Sequence, residues 1–488
     1  MIEDLPVLHL KGSEYEMGKQ YGFLAGDRIA SNVLNLKEIG QAEEPKIKLL
    51  PDALFTYLRR IVGWVFWLTF PKNIKDHIKG IVSGAKENKI KLNRFDIAFI
   101  NSIIDLVGIA KSNQGEVLLL KILGLEKFNY NCDSMAVWGN RTMDGKTFQT
   151  RNTDITTGTG IERFPIVVIY KPQGKIPFIT AAFSGMVGIF SGMNAYGVSL
   201  GQVWAFSKDV KLATPWNLVM RKYFSNFKTA KEVEGALRKR GTTTYGNNFV
   251  IADAGGHENS NETGYAIEMT AKRYASFSAN DQKELLATYQ EIPYGYPIEN
   301  AVFRGDLSLD LDIRSRQLAS NGPDGDPRTT SAYSERYKGQ YDRILAFEQN
   351  GVLISHVQAE SISRETAMRD SSLQTSVYAN TDRDFWVSYS KINDDGSVIQ
   401  AYQRNYINIP FYKYLVNLQF SNGKVEIKNW FKQRELKLIH KSRNNTILIE
   451  NQVIVSDEKI YSTGIVLLEG ESLELYQDNQ LIDRLQKN

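Results

Sequence analysis

The spacing of apolar positions along this chain changes character once, near residue 130. Before it, apolar residues recur at helical intervals. In "GSEYEMGKQYGFLAGDRI", Ser13 and Glu16 form a capping box, and Met17, Tyr21 and Leu24 share one face. Ile74, Ile78, Ile81, Val82 and Ala85 make a second stripe, and "RFDIAFINSIIDLVGIA" reads as a third helix. In that helix Asn101 and Asp105 stand four apart on an apolar background, which suits buried hydrogen-bonding partners better than a catalytic pair. The strongest apolar run, Ile61 to Phe70, is far shorter than the roughly 20 residues of a spanning helix. Arg59, Arg60 and Lys72 flank it and Trp64 and Trp67 lie inside, so a buried helix is expected, with an interfacial segment as the alternative.

From Cys132 the period shortens to two. "DSMAVWG", "KTFQTRN", "PIVVIYK", "PFITAAF" and "GVSLGQVWA" read as strands, with turn signals at Asp144-Gly145, Pro172 to Gly174, and Asn194 to Gly197. A helix over "TAKEVEGALRKRG" precedes strands at "NNFVIADA" and "GYAIEMTA". Residues 299–337 mix polar loop with short elements and lead into a helix at "YKGQYDRILAFEQ". "SVYANTDRDFWVSYSK" and "VIQAYQRNY" read as a further strand pair, and from about Phe411 short alternating strands suggest a separate β appendage. There is no internal repeat. Helices followed by a strand-rich middle that itself holds helices imply α+β layers, not a doubly wound parallel sheet.

Composition narrows the classes. A chain of 488 residues with 42% hydrophobic and 23% charged residues is a soluble globular protein large enough for two or three domains. A net charge of +4 is too small to imply nucleic-acid binding. One cysteine excludes an intramolecular disulfide framework and a CxxC site. His9, His77, His257, His356 and His440 show no metal-binding spacing, so no metal or organic cofactor is expected. "MIEDLPVLHLKGS" lacks the basic and apolar regions of a signal peptide. The expectation is a cytoplasmic protein, or a secreted or periplasmic one if the start was trimmed. The basic stretch Lys424 to Arg443 reads as a solvated face.

The single thiol, Cys132, lies between Asn131 and Asp133 at the head of a hairpin. A thiol attacks carbonyl carbon well once something takes its proton. A histidine partner stays open, since partners need only meet in space. The hairpin offers another base. If the chain turns near Asp144-Gly145, Arg151 and Asp154 return close to Cys132, in a register the sequence leaves undetermined. Arginine lowers a thiol pKa, and aspartate orients an amine. That amine could be Cys132's own after a cut before it, with a reference pKa of about 7.7 to 8.0.

"CDSMAVWG", "TMDG", "RNTD" and "GMNAYGVS", in that order, resemble the self-cleaving Ntn hydrolases. The nearest group is the isopenicillin N acyltransferase-like family, with bile-salt hydrolases and acid ceramidase as more distant relatives. "GSEYEMGKQYG" resembles that family's N-terminal element, "HIKGIVSGAKE" the helix before the nucleophile domain, and "NNFVIADAGG" with "YAIEMT" its oxyanion strand pair. The resemblance spans about residues 7 to 405. It implies a four-layer αββα sandwich: residues 1–131 as a helical segment that becomes the small subunit, 132–410 as the core, and 411–488 as a β-rich extension outside it.

The resemblance also implies roles. Cleavage of Asn131–Cys132 would make Cys132 an N-terminal nucleophile whose amine is the base, with Arg151 and Asp154 polarising and orienting it. Asn248, or its neighbour Asn247, would donate to the oxyanion, and Arg336, ahead of Arg343, would be the second arginine. Two site positions depart from the pattern. Asn131 stands where glycine is common, and Gln202 is the candidate replacement for a further oxyanion asparagine. The implied activity is hydrolysis of a linear N-acyl amide through a Cys132 thioester. Alternatives are an acyltransferase, a ceramidase-like lipid amidase, or an uncleaved inactive relative acting as an envelope or lipid-binding protein. The implied partners are the small-molecule amide, the chain's own N-terminal fragment, and a peripheral membrane contact, without nucleic acid.

Overall fold

A computed structural model describes residues 2, 4–43, 52–112, 130–240, 243–318, 326–421, 423–456 and 459–487. The chain divides into two compact units, Met1–Ile409 and Pro410–Asn488.

The first unit opens with a strand inside the stretch read as helical, β1 (Val7–Gly12). After it come α1 (Glu14–Glu43), α2 (Asp52–Thr69), α3 (Lys72–Glu87), α4 (Arg94–Ile100) and α5 (Ile103–Ser112). The capping box of α1 is reciprocal: Ser13 N donates to Glu16 Oε2 at 2.7 Å, and Glu16 N to Ser13 Oγ at 3.3 Å. Met17 and Tyr21 are buried but Leu24 is 55% exposed, because the buried face continues through Ala25, where the backbone leaves helical geometry. The third helix of the sequence is two, since Asn101 caps the end of α4. Asn101 binds the main chain at Gly185 and Val187, and Asp105 accepts from Thr244, so both are internal partners.

In α2 the apolar run is split by face. Phe66 and Trp67 are buried, while Leu54, Tyr57, Ile61, Trp64 and Leu68 form an exposed stripe. Among the described residues no helix is long and apolar enough to cross a membrane.

Two sheets follow. The first orders β1, β4 (Pro165–Pro172), β5 (Phe178–Phe183), β6 (Ser191–Asn194), β7 (Ser199–Trp204), β8 (Asn247–Ala252), β9 (Gly264–Met269) and β10 (Tyr274–Ser278). Only the β1–β4 pairing is parallel, with Val7 to Gly12 opposite Val167 to Pro172. The second sheet is antiparallel throughout and centres on β2 (Tyr130–Val137) and β3 (Phe148–Ile155), joined through positive-φ residues Asp144 and Gly145. On one side of β2 lies a four-residue strand, Ala301–Arg304. Beyond β3 are the hairpin Ser372–Ala379 and Asp384–Tyr389, then Ile407–Ile409. The hairpin is made by "SVYANTDRDFWVSYSK" together with the four residues before it, Ser372 to Thr375. "VIQAYQRNY" gives only the two-residue strand Val398–Ile399, which pairs with Lys391–Ile392 outside this sheet, and a 3₁₀ turn.

The sheets face each other. Gly201 of β7 approaches Ser134 of β2 so closely that a Cβ at 201 would lie 1.9 Å from Ser134 Oγ. Gln149 Nε2 donates across the gap to the Val250 carbonyl at 2.9 Å, and Tyr378 Oη to the Leu200 carbonyl at 3.2 Å. Helices cover both outer faces. Arg221 of α6 (Trp216–Phe224) lies over Tyr170 and Phe178 of the first sheet, with α7 (Ala230–Arg240) against β8 and β9. On the second sheet, Asn152 of β3 bonds to Ser363 of the helix His356–Thr366. The layering is αββα, and strands covered on both sides are buried along their length, as in β3.

The second unit is all β, with a three-stranded sheet (Val416–Ser421, Lys424–Asn429, Ile460–Ser462) and a four-stranded one built on Arg434–Lys441. Its core gathers Val416, Leu418, Ile427, Leu438, Leu473 and Leu475.

Candidate active site

Alternation along β2 and β3 sorts the site residues by face. The register pairs Cys132 with Thr153, Ser134 with Arg151, Asp133 with Asn152, and Asn131 with Asp154. Cys132 and Arg151 therefore turn to the inter-sheet layer. Asn131, Asp133, Asn152 and Asp154 turn to the helix-covered face.

In the inter-sheet layer Arg151 bridges β6 and β7 beyond their last paired residues, Gly192 and Leu200. Its Nε donates to the Gln202 carbonyl at 3.1 Å, Nη2 to Gln202 Oε1 at 3.2 Å, and Nη1 to Ser191 Oγ at 2.7 Å and the Phe190 carbonyl. Its guanidinium lies over Phe190, 4.7 Å from the ring centroid. Gln202 in turn donates to Asn247 Oδ1 at 2.7 Å. Cys132 is fully buried. Burial pushes its thiol pKa up, the Arg151 charge opposes this, and the carboxylates of Asp306 and Asp154 add to the rise.

The helix-covered face is acidic. Asp133 accepts from Asn152 Nδ2 at 3.0 Å and Thr366 Oγ1 at 3.1 Å, and burial raises its pKa to about 7. Asp154 Oδ2 accepts from the Met368 main chain at 3.2 Å. Its Oδ1 has no hydrogen-bond partner among the described residues, and burial followed by the Asp133 charge raises its pKa strongly. Arg336 is the nearby cation. Its Nη2 reaches Asn131 Oδ1 at 3.4 Å, and its charge favours the ionised forms of Asp133 and Asp154. Arg336 lies in a π-helical turn, Ala332–Tyr337, a local widening common at functional sites.

Sequence reasoning missed Asp306. It follows the strand Ala301–Arg304, whose last pair with β2 is Arg304 with Ser134. Its Oδ1 accepts the Cys132 main-chain N–H at 3.0 Å, and its Oδ2 forms an ion pair with Arg336 Nε at 2.9 Å. Burial raises its pKa to about 6, against the pull of Arg336. The available signal was a short apolar run, Ala301 to Phe303, closing in Gly305-Asp306.

The two asparagines separate. Asn248 Nδ2 donates to the carbonyls of Gly305 and Leu307, each at 3.1 Å, and its Oδ1 accepts from Ser308 Oγ at 3.0 Å. Both of its N–H groups are thus used in holding the turn that carries Asp306. Asn247 points the other way, joined to Gln202 and the Tyr245 carbonyl, with one amide hydrogen uncommitted in these contacts. Arg343 pairs with Glu365 at the surface. His77, fully buried, pairs with Glu14 and Arg221, and His257, His440 and His356 meet Asp253, Glu471 and Trp386 respectively. No cluster of three or more metal-ligating side chains occurs among the described residues.

No family model matches the chain. An uncharacterised protein of Archaeoglobus fulgidus is 23% identical over 275 residues, 55% of this chain and 44% of that protein, so the match spans less than half of the relative. Similar solved structures include the Caenorhabditis elegans ortholog of N-acylethanolamine-hydrolyzing acid amidase, with a TM-score of 0.36 and 12% identity over 51% of this chain and 93% of that one. A variant of conjugated bile acid hydrolase from Clostridium perfringens gives 0.35 and 15% over 56% and 94%. Penicillin V acylase from Agrobacterium tumefaciens gives 0.35 and 12% over 53% and 83%.

Proposed function

We propose that this protein is a self-processing Ntn-type cysteine hydrolase that cleaves a linear N-acyl amide. The observation that carries the reading is the setting of the chain's one thiol. It lies in a fully buried polar layer beside Arg151, and the peptide bond before it is surrounded by Arg336, Asp154 and Asp306. In this reading Cys132 Sγ attacks the Asn131 carbonyl carbon, the C–N bond breaks, and the thiol proton ends on the departing nitrogen. Water then hydrolyses the thioester, and the same thiol, with the new amine as base, turns over the external amide. The partners of His77, His257, His356 and His440 lie elsewhere, which supports an amine as base. Oxyanion donation is proposed to come from Asn247 and Gln202 in place of Asn248, whose N–H groups are committed. Removing such a donor typically costs about a hundredfold or more.

Denaturing electrophoresis of the mature protein should show two fragments, the larger beginning Cys-Asp-Ser-Met by Edman sequencing. Cys132→Ala should give one folded, inactive chain. A single full-length species that still hydrolyses amides would end the amine mechanism. Turnover of N-acyl amides of graded chain length, with and without an added amine acceptor, separates hydrolase from acyltransferase. A lipid amide is the second reading, favoured by the exposed stripe Leu54, Tyr57, Ile61, Trp64 and Leu68, beside the basic Arg60 and Lys72, which also suits a peripheral membrane contact.

A further inference from the structure

We infer that Asp306 is the carboxylate that holds the Cys132 nitrogen through self-cleavage and afterwards as the free amine. The inference rests on the function proposed above and assigns to Asp306 the orienting task that the sequence had suggested for Asp154.

The ladder on this side of β2 is interrupted. The strand Ala301–Arg304 pairs with β2 from Val137 to Ser134 and then stops. Had it continued for two residues, position 306 would lie opposite Cys132, and the Cys132 N–H would meet a main-chain carbonyl. Instead the chain turns at Gly305, and a carboxylate oxygen takes that place at 3.0 Å. For an ordinary peptide either acceptor would serve. The difference appears only when the nitrogen leaves: a carbonyl offers a neutral dipole, while a carboxylate can hold an ammonium with a charge-assisted hydrogen bond.

The turn is fixed from several sides. Asn248 donates to the carbonyls on either side of Asp306, and Gln317 Nε2 donates to the Asp306 carbonyl itself. Glu268 receives the N–H groups of Leu309 and Asp310 at 2.9 Å. Gly305 lets the π-helical turn come close, since a Cβ there would lie 2.7 Å from the Ala332 carbonyl oxygen. That approach brings Arg336 to Asp306 Oδ2, leaving Oδ1 for Cys132.

Asp154 is differently placed. It shares a face with Asn131 and receives the Met368 N–H. Its register partner is Asn131, the residue on the acyl side of the bond to be cut, whereas Asp306 accepts the N–H on the amine side. During the N-to-S shift the Sγ–C bond forms, the C–N bond breaks, and the nitrogen gains one proton, which matches the proton lost by the thiol.

The single cysteine makes the test direct. Incorporating [¹⁵N]cysteine labels one nitrogen in the full chain, an amide before cleavage and an amine after it. In cleaved wild-type protein the ¹⁵N titration should have its midpoint above the reference amine value of about 7.7 to 8.0. A midpoint below it overturns the assignment, whatever any variant does. Asp306→Asn keeps an oxygen for the N–H and removes the charge. It should cleave at least tenfold more slowly, and its cleaved fraction should show a lower amine midpoint and a matching acid shift in the kcat/KM–pH profile. Cleavage at the wild-type rate with an unmoved midpoint would also overturn it. Wild-type protein that never cleaves would instead sink the function proposed above.

Discussion

Asp133, Asp154 and Asp306 lie around Arg336, and burial is the first cause of the raised pKa in each. The folded state therefore holds protons on these groups that the unfolded chain, near its reference of about 3.9, has released. Their contribution to stability is fully present below that reference and is lost as pH rises through about 6 for Asp306 and about 7 for Asp133. Asp133→Asn tests this without disturbing the bonds. The amide oxygen can accept from Asn152, and the amide nitrogen can donate to Thr366 Oγ1, whose proton then goes to the Ile362 carbonyl. The variant should melt several degrees above wild type at pH 8, and the gap should narrow at pH 5. An equal gap at both would mean that Asp133 ionises normally. At this scale the hairpin made Arg151 and Asp154 legible, because both sit on the strand that returns past Cys132. Which of the two shares the face of the thiol was not, since a one-residue change of register exchanges the faces. Asp306 is 174 residues from Cys132, and only the folded chain brings it there.

Periodicity did well where one face is wet and poorly where an element is covered all round. The capping box of α1 and the buried positions of α3, Ile74, Ile78, Ile81 and Ala85, follow the spacing of the sequence. In α2 the spacing of Trp64 and Trp67 carried the information, but a dense apolar run hid which one faces the protein. Phe66→Ala should destabilise by about 3–5 kcal/mol, because it empties a buried site. Trp64→Ala, at a side chain 49% exposed, should stay within about 0.5 kcal/mol. Chemical denaturation of both variants distinguishes the faces; equal losses would contradict the packing. β1 escaped notice because a six-residue strand before a strong helix has little period of its own. The π-helical turn at Ala332–Tyr337 had no sequence signal either, since its extra residue is fitted to the Gly305 turn in space.

Across the molecule, the α+β layering was readable from the order of periods, and the second sheet's reach to Ala301–Arg304 was not. The contacts of residues 1–131 with the rest bear on what processing would leave behind. β1 adds an edge strand in register with β4, Glu14 meets Arg221 at 2.6 Å, Asn32 donates to the Ser184 carbonyl at 2.7 Å, and Tyr21 Oη accepts from Gly185 at 3.0 Å. The two fragments should therefore co-elute on gel filtration in native buffer and separate only in denaturant. Early loss of the small fragment would show that these contacts do not suffice.

The β1–β4 pairing then has a thermodynamic consequence. In the uncut chain it forms by loop closure, a first-order event whose cost is independent of protein concentration. If the bond before Cys132 is cut as proposed, the same pairing is an association between two molecules, governed by mass action. Dilution would then lower the melting temperature of the mature protein but not that of its uncut Cys132→Ala precursor. Refolding would become a bimolecular search that slows as the sample thins. The cleaved protein would persist because it unfolds slowly, carrying an arrangement that its separated pieces could no longer reach efficiently on their own.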